Sequence, residues 1–135
     1  MSRLASTDPR DAGSRADQNR RLVEAAFGQF AAGNHDILTE VIAERFVEHS
    51  PGNPSGREAF VEFIRRSAVA DAQLELRRTV ADQDYVVLHY LMRAPGSDRG
   101  DAVVDIWRIE DGMIVEHWDV VQAVPDPRET PNGML

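Results

Sequence analysis

The stretch DAVVDIWRIEDGMIVEHWDVVQ, residues 101–122, holds two runs rich in β-branched and aromatic residues around one Asp-Gly pair. Asp111-Gly112 is turn chemistry, and the flanking runs 101–109 and 113–122 read as the strands of a hairpin. Each run nevertheless places ionisable groups inside a strand: Asp105 in the first, His117 and Asp119 in the second. Which face these groups share depends on register, because a slip of one residue sends every side chain to the opposite face. A two-residue turn sets Asp105 opposite Trp118 and separates Asp105 from Asp119. A three-residue loop pairs Ile109 with Met113 and sets Asp105 opposite His117, with Val103, Trp107 and Asp119 on the same side. The second register is preferred, because it segregates polar from apolar side chains.

Upstream, residues 84–93 (DYVVLHYLMR) and the alternating run at 72–81 complete a four-stranded meander. If the Pro95-Gly96 connection pairs His89 with Asp105, one concave surface holds His89, Asp105, His117 and Asp119. The opposite surface then carries Val86, Leu88, Tyr90, Val104, Ile106, Trp118 and Val120. Such a face is too apolar to leave in water, and a homodimer buried there is expected.

The first half has a different period. Leu22, Val23, Ala26, Phe27, Phe30 and Ala31 recur at three- and four-residue spacing and predict a helix over 18–32, stopped by Gly33-Asn34. A shorter helix follows at about 35–43, and RFVEHS is a brief extended piece before the loop PGNPSG. Ser55 and Glu58 form an S-x-x-E pattern that predicts a capping box opening a third helix at about 56–67, buried through Phe60, Phe63 and Ile64. Residues 1–17 hold a single leucine and predict a flexible tail, leaving 18–135 as one domain. Helices followed by antiparallel strands define an α+β fold, in which a curved, mainly antiparallel sheet covered by three N-terminal helices leaves a cone-shaped pocket.

Composition narrows the function. A formal charge of −8 argues against a phosphate-backbone partner, so no nucleic acid is expected. The absence of cysteine removes disulfides, thiolate zinc sites and thiol nucleophiles. No apolar run approaches the ~18 residues of a membrane span, and the N-terminus lacks the apolar core of a secretory signal. A cytoplasmic protein with no membrane partner is expected. Glycine fingerprints for nucleotides and a G-x-S-x-G elbow are also missing. Two His and two Asp on one surface allow a metal reading, but no compact ligand motif sits on one element, and no metal is expected.

The segments VEHSPGNPSGREAF (47–60), DRGDAVVDIWRIEDGMIVEHWDVVQAVP (98–125) and PNGML (131–135) resemble the SnoaL-like proteins, polyketide-cyclase relatives within the nuclear-transport-factor-2-like superfamily. The resemblance runs from about residue 20 to the end and is most specific at the HWD stretch. It implies an α+β conical barrel with a deep pocket, a dimer through the outer sheet face, and no metal or organic cofactor. Characterised cyclases of this kind close a ring by intramolecular aldol condensation, with an aspartate late in the last strand as acid/base, and Asp119 matches that position. Many also carry a histidine where this chain has Asp105, and a polar amide near the position of His49.

The expected chemistry is proton abstraction by Asp119 from a carbon beside a carbonyl in a small apolar or aromatic compound. Asp105 and His117 tune the base, and His89 or His49 donates to the enolate. Phe46, Phe60, Tyr85 and Trp107 are the expected pocket walls. Cofactor-free isomerisation or epoxide hydrolysis on the same scaffold, and a non-catalytic ligand-binding or dimerisation module, are the alternatives.

Overall fold

A computed structural model describes residues 9–135, with side chains from Arg15 onward. Helix α1 spans Pro9–Ala31, and so begins well before the expected start at residue 18. Proline suits a first helical position, where its missing N–H leaves nothing unsatisfied. The first eight residues of the expected tail lie outside the described residues. Gly33 and Asn34 end α1 as expected: Gly33, at φ 102°, donates its N–H to the Phe30 carbonyl, and Asn34 donates to that of Gln29. This pair of bonds is a Schellman stop.

Helix α2 is a short piece, Ile37–Val41, and strand β1 follows at once over Ile42–Glu48. Helix α3 (Arg57–Arg66) and a single 3₁₀ turn at Ala68–Asp71 lead into β2 (Gln73–Ala81), β3 (Tyr85–Arg93), β4 (Asp101–Glu110) and β5 (Met113–Ala123). The expected capping box at α3 is not made. Ser55 Oγ accepts instead from the Glu48 backbone N–H at 3.0 Å, and Gly56 caps the helix at φ 87° without a side-chain bond, in a backbone region open to glycine.

The sheet has five strands in the order β1-β5-β4-β3-β2. The brief extended piece at 42–48 is the fifth, paired parallel to β5, with Glu48 beside His117. The other pairs form the antiparallel meander read from the sequence. Helices α1 and α3 close over one sheet face through Val23, Ala26, Phe30, Phe60 and Ile64, which pack with Ile42, Phe46, Val86, Leu88, Tyr90 and Val103 in one core cluster. Each large apolar side chain sealed there contributes about 1.5–3 kcal/mol.

Two registers differ from expectation. At the β4–β5 tip the turn is the two-residue type, Glu110 opposite Met113, with positive φ at both Asp111 and Gly112, as a type I′ turn requires. The ladder then slips between Arg108 and Ile109: Ile109 pairs with Ile114 and Arg108 with Glu116, leaving Val115 as an extra, bulged residue. Asp105 therefore sits opposite Asp119, and Trp107 opposite His117. Neither expected register holds, yet the bulge adds one residue to the odd offset of the two-residue turn. The same-face set Val103, Asp105, Trp107, His117 and Asp119 survives.

In the β3–β4 pair, Leu88 rather than His89 lies opposite Asp105. This one-residue slip inverts the expected faces of β3. Val86, Leu88 and Tyr90 point under the helices and are buried, while Tyr85, Val87 and His89 take the outer side. The register places Val86, Leu88 and Tyr90 in the core and leaves the imidazole on the opposite side.

Candidate active site

Under α1 and α3 lies a cavity of about 130 Å³, lined by apolar residues from both helices and the sheet, with Asn53, Asp105, His117 and Asp119 as its main polar groups. Strand alternation puts Asp105 and Trp107 of β4 and His117 and Asp119 of β5 on this wall. The loop after β1 contributes Asn53.

His117 is the centre of the polar cluster and is only 3% exposed. Its Nδ1–H donates to Glu48 Oε1 at 2.7 Å and its Nε2–H to Asp105 Oδ1 at 2.9 Å. Burial opposes the imidazolium charge, but the bonds to Asp105 and Glu48 outweigh it and raise the His117 pKa to about 9. The ring is therefore held as a cation at neutral pH. Its face stacks on Trp107, with centroids 3.9 Å apart, in the geometry of a cation–π contact.

Glu48 is buried and held in several ways. It accepts from the backbone N–H groups of His49 and Ser50 and from Asn53 Nδ2 at 3.1 Å, besides His117. Burial raises its pKa, but the hydrogen bonds from His117, Asn53 and Ser50 bring it below the ordinary value. The Tyr90 hydroxyl bonds to Asp105, and its pKa stands well above the ordinary value because of burial and the neighbouring Asp105 charge. It stays a neutral donor.

Asp119 is different: half-buried at the cavity wall, it lacks the imidazolium partner that Asp105 and Glu48 share. Burial raises its pKa, a hydrogen bond from the Ser50 side chain and the His117 charge pull the other way, and the Asp105 and Glu48 charges push it up again. The net direction is upward, toward the range where a carboxylate works as a base.

Asp105, His117 and Asp119 each place one potential ligand atom within 4.8 Å of the others, a spacing a metal ion can use. Both His117 nitrogens are already engaged by carboxylates, Glu48 at one and Asp105 at the other, so a metal would have to displace one of these bonds.

Of the residues expected in the site, Asp105, His117, Asp119, Phe60 and Trp107 line the cavity. Phe46 is core instead, packed on Phe60 at 4.7 Å between centroids. His49 lies on the outer side, stacked on Trp118 at 4.7 Å and bonded through Nε2 to Glu116 at 2.6 Å. Tyr85, with its centroid 6.3 Å from that of Trp118, belongs to the same side. His89 is also outside the cavity, its Nδ1 held against the Arg78 guanidinium. Sequence reasoning missed Glu48, Ser50, Asn53 and Tyr90. For Glu48 a signal was present, since it follows the buried Phe46 by two residues and so shares its face of the strand.

The fold and this polar cluster define an α+β domain in which helices cover one face of a five-stranded sheet over a largely apolar pocket that holds Asp105, His117 and Asp119. The chain matches the SnoaL-like domain over residues 23–117 and belongs to that family. No curated protein matches it. Among solved structures it is similar to a nuclear-transport-factor-2-like protein of unknown function from Burkholderia xenovorans LB400, at 19% identity over 91% of this chain and 99% of that one, with a TM-score of 0.75. A proposed ketosteroid isomerase from Kribbella flavida DSM 17836 is 19% identical over 83% of each chain, with a TM-score of 0.73. A proposed SnoaL-like polyketide cyclase from Jannaschia sp. CCS1 is 16% identical over 89% of this chain and 91% of that one, at 0.67. At these identities the likeness is one of fold.

Proposed function

We propose that the protein is a cofactor-independent enzyme that enolises a small apolar or aromatic carbonyl compound, with Asp119 as the acid/base, in a reaction such as intramolecular aldol condensation. The observation that carries this reading is the division of labour among three carboxylates. Glu48 and Asp105 are committed to the His117 cation, while Asp119 faces the cavity with its pKa raised by burial.

In the reaction, Asp119 takes a proton from the carbon next to the carbonyl, the enolate attacks a second carbonyl of the same molecule, and the protonated carboxyl returns its proton to the new alkoxide. His117 lowers the cost of the charge that develops beside it without giving up its own proton. His89 and His49 lie outside the cavity, so the donor to the enolate oxygen comes from the N–H groups of the cavity wall. The cavity's modest volume also suits a proton-shuttling isomerisation, which uses the same carboxylate without building a larger product.

The test is deuterium exchange at the acidic carbon of a panel of 1,3-dicarbonyl compounds. The wild type accelerates exchange, and Asp119→Asn removes about 10²–10⁴-fold of that acceleration. Exchange that is equally slow with both proteins favours a non-catalytic ligand-binding module.

We also propose a homodimer through the outer sheet face. Val120 is 66% and Tyr85 39% exposed there, beside Val104, Ile106 and Trp118, whereas Val86, Leu88 and Tyr90 belong to the core. Val120→Arg is expected to shift the protein to monomer in sedimentation velocity. A wild type that is monomeric at every concentration refutes the dimer.

A further inference from the structure

The cavity holds one polar group that the acid/base reading leaves idle. Trp107 Nε1 is buried and has no hydrogen-bond partner among the described residues, although its ring lines the cavity. A buried indole N–H ordinarily finds an acceptor, because leaving it unpaired forfeits the bond it made to water. The ring is also fixed. Its face lies on His117, and His117 is clamped from both sides by Glu48 and Asp105. Of the other side-chain N–H donors at the wall, His117 spends both on Glu48 and Asp105, and Asn53 spends one of its two amide hydrogens on Glu48.

The charges around the cavity limit what enters. Glu48, Asp105 and Asp119 are three carboxylates against the single His117 cation, and no arginine lines the cavity. A carboxylate, phosphate or sulfate on the ligand would be repelled with nothing to pair it. The volume of about 130 Å³ is close to that of apolar cavities that accept a benzene-sized guest.

We propose that the cavity selects an uncharged carbonyl compound about one ring in size, and that the Trp107 indole N–H is the donor that holds its carbonyl oxygen. This names the substrate class of the acid/base site above and rests on that reading for its catalytic meaning, but binding is measured without turnover. Trp107 holds the oxygen at one side of the carbonyl carbon, and Asp119 receives the proton from the adjacent carbon.

The test uses acetophenone and its hydrocarbon isostere α-methylstyrene, in which CH₂ replaces the carbonyl oxygen, titrated into ¹⁵N-labelled protein. In the wild type the indole N–H signal of Trp107, assigned by its loss in Trp107→Phe, moves with acetophenone and stays in place with α-methylstyrene. The ratio of the two affinities, ketone over hydrocarbon, drops about five- to tenfold in Trp107→Phe, as expected for losing one neutral hydrogen bond. Benzoate binds at least tenfold more weakly than acetophenone, and 2-acetonaphthone, one ring larger, binds no more tightly.

An indole signal that ignores acetophenone, or an affinity ratio unchanged by the substitution, overturns the role of Trp107. Benzoate binding as tightly as acetophenone, or neither single-ring probe binding at all, overturns the ligand class. The chain has two tryptophans, so Trp118→Phe assigns the Trp107 indole signal as the one that remains, and the test stands even if Trp107→Phe folds poorly. Ketone binding through Trp107 without deuterium exchange at any probe refutes the catalytic reading and leaves this inference intact.

Discussion

Raising the pH from 6.5 to 9 should destabilise this protein by an amount that the His117 clamp sets. The ring is 3% exposed and donates to a carboxylate at each nitrogen, which raises its pKa from the ordinary 6.5 to about 9. At about 1.4 kcal/mol per tenfold, the folded state gains about 3 kcal/mol from binding that proton. A folded pKa above the unfolded one makes this contribution complete below pH 6.5. It declines by about 1.4 kcal/mol per pH unit as the unfolded chain loses its proton and vanishes once the folded ring titrates near 9. No lysine or cysteine adds to this window, since all 15 basic residues are arginine and the chain has no cysteine. Urea unfolding at pH 6, 7.5 and 9 reads the slope, and the imidazole carbon shifts of His117 read the midpoint. Glu48→Gln removes one side of the clamp. It should cost about 3–5 kcal/mol at pH 7, as breaking a buried pair does, and shift the midpoint downward. A wild-type His117 that titrates near 6.5, or a flat stability profile across the window, refutes the reasoning.

Asp119→Asn should raise the Tm at pH 7 while abolishing proton exchange, because burial and the nearby carboxylates disfavour the charge that the amide removes; differential scanning calorimetry checks the sign. His49→Ala and His89→Ala should leave exchange within about twofold of wild type, since surface changes away from the site are usually worth less than about 0.5 kcal/mol; the same exchange assay decides this. Phe46→Ala, at a side chain only 1% exposed, should cost about 3–5 kcal/mol in urea unfolding through the cavity it leaves.

The periodic elements were legible in the sequence because each carried one dry face: the stripe of α1, the Phe60 and Ile64 face of α3, and the alternation of β4 and β5. The pocket faces of β4 and β5 were legible for a narrower reason. Hairpin registers that differ by an even number of residues leave each side chain on its own side, so Asp105, His117 and Asp119 came out together although the pairing itself did not. Strand β3 offered no such protection. Val86, Leu88 and Tyr90 alternate with Val87 and Leu91, so both faces are apolar, and nothing local tells Leu88 from His89 as the inward residue. The role of Glu48 depends on β1 joining β5 in parallel, a contact to His117 across 69 residues, and Asn53 sits in a loop without periodicity. The S-x-x-E pattern at Ser55 failed because the hydroxyl had a second acceptable partner, the Glu48 N–H.

The bulge at Val115 separates two properties that a sheet usually sets together. Excising Val115 alone would bring Glu116 directly after Ile114 and leave every cross-strand pair of the hairpin as it is, from Glu110 with Met113 to Asp101 with Ala123. The excision would remove the local bend and extra twist that a bulge adds to its strand, together with one buried side chain. The hairpin thus keeps the partnerships of its residues and the curvature of its surface in different places, and the arc over which His117 and Asp119 face the helices is adjustable at one residue without reassigning any other.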